Sequence, residues 1–144
     1  MMLTTLGLMS GTSLDGVDVA LIETDGKRVK SFGPSGYRAY SAHERGLLRQ
    51  ALTEAVHLSQ RDARPGILRE AERAVTQAHA EAVATFTAQH RITRENIDIV
   101  GFHGQTVLHR PAERMTVQIG DATALARRRP RRRHGPSRVP AAAK

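Results

Sequence analysis

One stretch of the chain decides its fold: Gly7-Leu8-Met9-Ser10-Gly11-Thr12-Ser13-Leu14-Asp15-Gly16-Val17-Asp18-Val19-Ala20. Residues 4–9 are short and mostly apolar, and residues 17–23 alternate between two faces, so each segment predicts a β-strand. Between them lie glycines and small hydroxyl or carboxylate side chains. The pattern therefore predicts a strand, a polar glycine-containing turn and a second strand.

The turn between these strands has a composition suited to an anion. Glycine lets backbone N–H groups approach a phosphate closely because it has no Cβ. Asp15 and Asp18, three residues apart, have the chemistry to hold a hydrated magnesium ion. Composition alone still favours a plain β-hairpin with a polar turn, because the Gly-Lys-Ser/Thr ending of the Walker pattern is missing.

Three blocks of sequence resemble, in order and approximate spacing, the anhydro-N-acetylmuramic acid kinase family. They are Met-Ser-Gly-Thr-Ser-Leu-Asp-Gly-Val-Asp at 9–18, Ile-Asp-Ile-Val-Gly-Phe-His-Gly-Gln-Thr-Val-Leu-His-Arg-Pro at 97–111, and Thr-Val-Gln-Ile-Gly-Asp at 116–121. The family consists of sugar kinases of the actin/hexokinase/Hsp70 superfamily. The resemblance implies that residues 1–126 are a partial N-terminal kinase lobe. The implied fold is ribonuclease H-like, an α/β class with a mixed sheet and flanking helices.

The resemblance also implies an activity and its sites. Intact family members use ATP and Mg²⁺ to convert 1,6-anhydro-N-acetylmuramic acid into N-acetylmuramic acid 6-phosphate during peptidoglycan recycling. By resemblance, the nucleotide phosphates would lie against Gly11, Thr12, Ser13, Leu14, Asp15, Gly16, Val17 and Asp18, with the metal at Asp15 and Asp18. The sugar would lie against His103, Gly104, Gln105 and Thr106. Without the resemblance, the second set would be expected only to satisfy loop backbone groups.

Periodicity and capping signals predict the remaining elements. Ser41 and Glu44 have the spacing of a capping box at the start of a helix. Asp121 is a candidate cap for a helix that begins at Ala122. Helices are predicted at residues 41–59 and 67–89. A strand is predicted at residues 28–40, with an interruption near residues 33–36. A buried strand is predicted at residues 97–102, and further strands at 106–109 and 115–119.

Charge and composition limit the possible functions. The net charge is +8, but residues 127–144 hold seven arginines, Lys144 and no acid, so residues 1–126 are neutral. The chain has no cysteine, which excludes disulfides and thiolate metal sites. The N-terminus has no basic start, and glycines break its apolar run. We therefore expect no signal peptide, no membrane association and a cytoplasmic location.

Residues 127–144 form an Arg/Pro-rich segment that begins abruptly after the third block. Its composition is typical of a GC-rich gene translated out of frame, so we expect a disordered tail of that origin. The Asp-Phe-Arg-x-x-Asp segment that carries the family's catalytic base is absent, so no catalytic residue is predicted and the 144-residue chain is expected to be inactive. The alternative is a small non-enzymatic nucleic-acid-binding module whose tail binds weakly and without sequence preference. A homodimer is a further expectation.

Overall fold

The computed structural model describes residues 1–128 of the chain. Two short 3₁₀ turns, at Arg94–Asn96 and Pro111–Glu113, accompany the main elements. In chain order, those elements are β1 (Leu3–Ser10), β2 (Gly16–Thr24), β3 (Val29–Ala39), α1 (Ala42–Ala55), α2 (Leu68–Gln89), β4 (Ile99–Phe102), β5 (Gln105–Arg110), β6 (Met115–Ile119) and α3 (Ala122–Arg127).

The main sheet is mixed and has the strand order β3-β2-β1-β4. β1 and β2 form the predicted antiparallel hairpin, with Leu6 opposite Leu21 and Met9 opposite Asp18. β4 returns parallel to β1 after the two helices, as a parallel pair requires a long crossover. Among residues 1–128, β5 and β6 pair only with each other, as a separate hairpin. The predicted α/β class with a mixed sheet and flanking helices is confirmed.

The core lies on one face of this sheet. Leu6, Leu8, Val17 and Val19 are buried there, as are Leu68, Ala71, Val75, Ala78, Ala82 and Phe86, which form the apolar stripe of α2. The opposite face of the sheet carries exposed Met9, Phe32, Tyr37 and Ile99. No helix within residues 1–128 combines the length and the apolar composition needed to cross a membrane.

The helix caps form as their sequences predict. Ser41 Oγ accepts the Glu44 amide at 3.1 Å, and Glu44 Oε2 accepts the Ser41 amide at 2.8 Å. Asp121 Oδ1 accepts the Ala124 amide at 2.9 Å at the start of α3. These bonds satisfy backbone donors that have no partner inside the first helical turn.

Two predictions about these elements are wrong, the end of α1 and the interruption of β3. α1 ends at Ala55 rather than near residue 59, and the following amides turn back to the carbonyls of Glu54 and Ala55. β3 is not interrupted near residues 33–36. Its pairing with β2 shifts register between Ala20 and Ile22, so the glycine and proline there form a bulge within a continuous strand.

The strand predicted at 97–102 is present as β4, but the expectation that it is buried is wrong. β4 begins at Ile99, whose surface is 45% exposed, and no residue of β4 is fully buried. β4 lies at the edge of the sheet and pairs only with β1 among residues 1–128. The apolar composition of this short run therefore does not show whether the strand lies in the middle of the sheet or at its edge.

Candidate functional site

The turn that joins β1 to β2 is fixed in place by Leu14. This residue has φ of 57°, an uncommon left-handed conformation for a residue with a side chain. Its side chain is buried in the core, and its amide donates to the Gly11 carbonyl at 3.3 Å. Thr12, Ser13 and Asp15 are left exposed around it. The turn therefore presents hydroxyl and carboxylate groups while its apolar residue anchors it.

The other residues expected at the nucleotide have different positions. Gly16 opens β2, where an added Cβ would lie 2.2 Å from the Arg38 carbonyl oxygen, so only glycine fits. Val17 is fully buried in the core, whereas Asp18 is exposed on the opposite face of the sheet. Within residues 1–128 no three carboxylate or histidine side chains cluster as a metal-ligand set.

A second tight turn, at Gly104, joins β4 to β5. Gly104 has φ of 71°, and a Cβ there would lie 2.1 Å from the Ile119 carbonyl oxygen. Gly120 packs against Phe102, since its Cβ would lie 2.6 Å from the Phe102 ring. The end of β4 and the end of β6 are therefore pressed together, and His103 is left exposed at the junction.

Gln105 brings the two predicted blocks together. Its side chain is 1% exposed and lies between the two turns. Its Oε1 accepts from the Ser10 hydroxyl, and its Nε2 donates to the Gly11 carbonyl at 3.2 Å. The turn expected at the nucleotide is therefore in direct contact with the strand expected at the sugar.

An exposed polar cluster forms beside Gln105. Gln118 Nε2 donates to Thr106 Oγ1 at 3.3 Å and lies 3.5 Å from His103 Nδ1. Gln118 was not predicted as a site residue, although it belongs to the third sequence block. The signal that would have found it is strand register, because Thr106 and Gln118 face each other across the β5–β6 hairpin.

Helix α2 holds the backbone of the third block. Glu72 Oε2 accepts the Gly120 amide at 3.0 Å and the Arg64 Nε–H at 2.7 Å. Thr76 Oγ1 accepts the Asp121 amide at 3.0 Å. These contacts hold the turn after β6 against the helix. They thereby also fix the position of Gln118, near the end of β6.

His79 lies beneath this region and is fully buried. Its Nδ1–H donates to the Val75 carbonyl at 2.7 Å, and its ring stands edge-on to Phe102 with centroids 4.9 Å apart. Nε2 has no hydrogen-bond partner within the described residues 1–128. Burial lowers the pKa of His79 below its ordinary 6.5, so the ring is neutral near pH 7.

We expect His79 to make the fold sensitive to mild acid. A histidine whose folded pKa is depressed binds its proton more readily when unfolded, so its contribution to stability is complete above pH 6.5 and decreases as pH falls below that value. His79→Leu should flatten the decrease in the free energy of unfolding that occurs as pH falls below 6.5. The measurement is urea denaturation at several pH values, with substitution of the exposed His57 by leucine as the matched control.

Comparison with known proteins agrees with the three-block resemblance. The family model for anhydro-N-acetylmuramic acid kinase matches residues 3–131. Curated proteins of that name are similar over about the same part of the chain. One from Bradyrhizobium diazoefficiens is 83% identical over 127 residues, one from Rhodopseudomonas palustris strain CGA009 is 74% identical over 127, and one from Agrobacterium fabrum is 55% identical over 123.

These matches cover much of this chain but little of its relatives. The Bradyrhizobium and Rhodopseudomonas alignments each include 88% of this chain and 35% of the relative, and the Agrobacterium alignment includes 85% and 33%. The chain therefore spans about a third of the length of the curated relatives it matches. The alternative of a nucleic-acid-binding module receives no support from these comparisons.

Proposed function

The chain belongs to the anhydro-N-acetylmuramic acid kinase family, and from that membership we propose that residues 1–128 are the N-terminal part of an ATP-dependent sugar kinase. The intact enzyme would phosphorylate 1,6-anhydro-N-acetylmuramic acid in the cytoplasm, where ATP is available. In the reaction, a water oxygen bonds to C1 and gives up a proton, the C1–O6 bond breaks, O6 takes the γ-phosphoryl group, and ADP and the proton are released. The product is N-acetylmuramic acid 6-phosphate.

The observation that carries this proposal is the contact between the two turns. Phosphoryl transfer depends mainly on holding donor and acceptor in line and neutralising charge, so the two binding segments must be neighbours. Gln105 bonds Ser10, at the end of β1, and the Gly11 carbonyl. The same amide donates to the Thr106 carbonyl at 3.3 Å.

We assign the phosphate side of the site to the Gly11–Asp18 segment. The exposed Thr12 and Ser13 hydroxyls would contact phosphate oxygens, whereas the buried Leu14, Gly16 and Val17 would contribute through backbone groups and packing. Mg²⁺ needs only one or two carboxylates when phosphates and water supply its other ligands, and the exposed Asp15 and Asp18 fit that requirement. The ion would neutralise phosphate charge there.

We assign the sugar side to the exposed polar cluster at the start of β5. His103, Thr106 and Gln118 offer donors and acceptors for sugar hydroxyl or acetamido groups, and Gly104 allows close backbone approach. We assign no residue of this chain as the catalytic base.

The out-of-frame origin of residues 127–144 stays a prediction. Arg127 and Arg128 are described, with Arg127 ending α3, but residues 129–144 lie outside the described part. Genomic sequence around codon 126 decides the reading frame.

The test is to join this chain to the part of a relative that it does not span. We expect the purified 144-residue chain to show no ATP-dependent phosphorylation of 1,6-anhydro-N-acetylmuramic acid, because loss of a general base alone typically costs 10²–10⁴-fold. A fusion of residues 1–126 to the remainder of the Bradyrhizobium relative should be active within about tenfold of that relative, since the two proteins are 83% identical over the 127 residues aligned. Transfer of label from γ-labelled ATP measures both.

Two results would contradict the proposal. One is a rate close to that of the full-length relative from the 144-residue chain alone. The other is a fusion that is folded by circular dichroism and yet transfers no label.

A further inference from the structure

A buried chain of hydrogen bonds connects three elements of the fold. Tyr40 lies just before α1, Ser10 ends β1 and Gln105 begins β5. Ser10 Oγ and Tyr40 Oη are 2.8 Å apart, and Ser10 also bonds Gln105 Oε1. The three residues are at most 3% exposed. Such groups must find their partners within the protein, because water does not reach them.

The direction of each hydrogen bond follows from donor and acceptor counts. An amide oxygen only accepts, so the single Ser10 proton is donated to Gln105 Oε1. Tyr40 must then donate to Ser10 Oγ. Burial raises the pKa of Tyr40, which keeps this donor protonated well into the alkaline range. The chain therefore runs in one direction, from Tyr40 through Ser10 to Gln105.

The far end of the chain fixes the orientation of the Gln105 amide. Its two N–H groups are directed at the carbonyls of Gly11, at 3.2 Å, and Thr106, at 3.3 Å. A flipped amide would place its oxygen against two carbonyl oxygens, which is unfavourable. The Gly11 carbonyl also accepts the Leu14 amide that closes the turn. The same oxygen thus receives both the bond that closes the turn and the bond from Gln105.

We propose that Gln105 is a positioning residue that holds the Gly11–Leu14 turn against the start of β5, and that it does not bind the sugar through its side chain. Every polar atom of its amide is used inside the protein, so a ligand would have to break a bond to reach it. Ser10 and Tyr40 support it from behind. This inference rests on the proposed function only for the identity of the two ligands whose segments are joined.

The first test uses the 144-residue chain and needs no ligand. Hydrogen exchange followed by NMR should show that Gln105→Leu speeds exchange of the Leu14 amide by about tenfold or more, relative to the core amide of Ala78. Ser10→Ala should have a smaller effect and Tyr40→Phe a smaller one still, because each removes a bond further from the turn. Gln50→Leu, the same change at an exposed glutamine of α1, should leave Leu14 unchanged.

The second test separates positioning from sugar binding, in the fusion with the Bradyrhizobium relative. A positioning role predicts that Gln105→Leu and Ser10→Ala each raise the KM for ATP and the KM for the sugar, although Ser10 is too buried to touch either. A ligand role predicts that Gln105→Leu raises only the sugar KM and that Ser10→Ala raises neither. Gln50→Leu should change neither constant.

The outcomes are distinguishable. The positioning role would be overturned if the exchange rate of the Leu14 amide is unchanged in all three variants, Gln105→Leu, Ser10→Ala and Tyr40→Phe. It would also be overturned if Gln105→Leu raises only the KM for the sugar and Ser10→Ala raises neither KM. If Gln105→Leu fails to fold, the exchange rates of the Leu14 amide in Ser10→Ala and Tyr40→Phe decide between the two roles. An inactive fusion with wild-type residues would contradict the proposed function, while the exchange results would still decide this inference.

Discussion

Gly104→Ala should destabilise the folded chain by about 3 kcal/mol or more, combining left-handed strain with overpacking. Gly104 has φ of 71°, where a side chain is unfavourable. The added Cβ would lie 2.1 Å from the Ile119 carbonyl oxygen and 2.9 Å from its carbon. Backbone atoms cannot rotate away as a flexible side chain can, so β4 and β6 would have to separate. Urea denaturation followed by circular dichroism measures the loss.

Gly46→Ala is the matched control for this substitution. Gly46 lies inside α1, and a Cβ there would meet no atom of residues 1–128 within 4 Å. Alanine should therefore stabilise the helix by about 0.5–1 kcal/mol, because glycine loses more backbone entropy on folding. A Gly104→Ala chain whose free energy of unfolding stays within about 1 kcal/mol of the parent would show that the turn tolerates a side chain.

The local elements were predictable because their causes are local. The β1–β2 hairpin follows from two strand patterns around a polar turn, and the capping box of α1 needs only Ser41 and Glu44 at the right spacing. The α2 stripe is read from residues three and four positions apart, which lie on one helix face. In each case the atoms that interact are close in sequence.

The features that were missed depend on distant parts of the chain. The edge position of β4 is set by which strands remain to pair with it, and its own composition does not report this. Gln118 enters the polar cluster through its register with Thr106. The inward orientation of Gln105 depends on Ser10, at a sequence separation of 95. Local patterns contain no information about such partners.

Arg38 is the side chain that ties β3 to both long helices. Its guanidinium donates two bonds of 2.9 Å to the Glu44 carboxylate on α1, and its Nε donates to Glu81 on α2 at 3.0 Å. The Arg38 and Glu44 side chains are 23% and 16% exposed, and that of Glu81 is 46% exposed. Arg38 lowers the pKa of Glu44, and Gln77 and Arg38 together lower that of Glu81.

Arg38→Met should therefore cost about 2–3 kcal/mol of unfolding free energy, somewhat below the range for fully buried pairs because one carboxylate is half-exposed. The change leaves Glu44 and Glu81 without their shared cation, and the two like charges repel. Lys30→Met is the control, since the side chains of the Lys30–Glu23 pair are 59% and 42% exposed and solvent screens their attraction, so its loss should change stability much less. Denaturation at neutral pH measures both.

The pH dependence identifies the cause of this loss. Carboxylates whose folded pKa is depressed contribute stability above their ordinary value of 4.5, and that contribution is lost as pH falls through the folded pKa. Arg38→Met should therefore reduce the steep loss of stability below about pH 4.5. An Arg38→Met chain that is destabilised equally at every pH would instead show that lost packing of the arginine stem, and not its charge, is responsible.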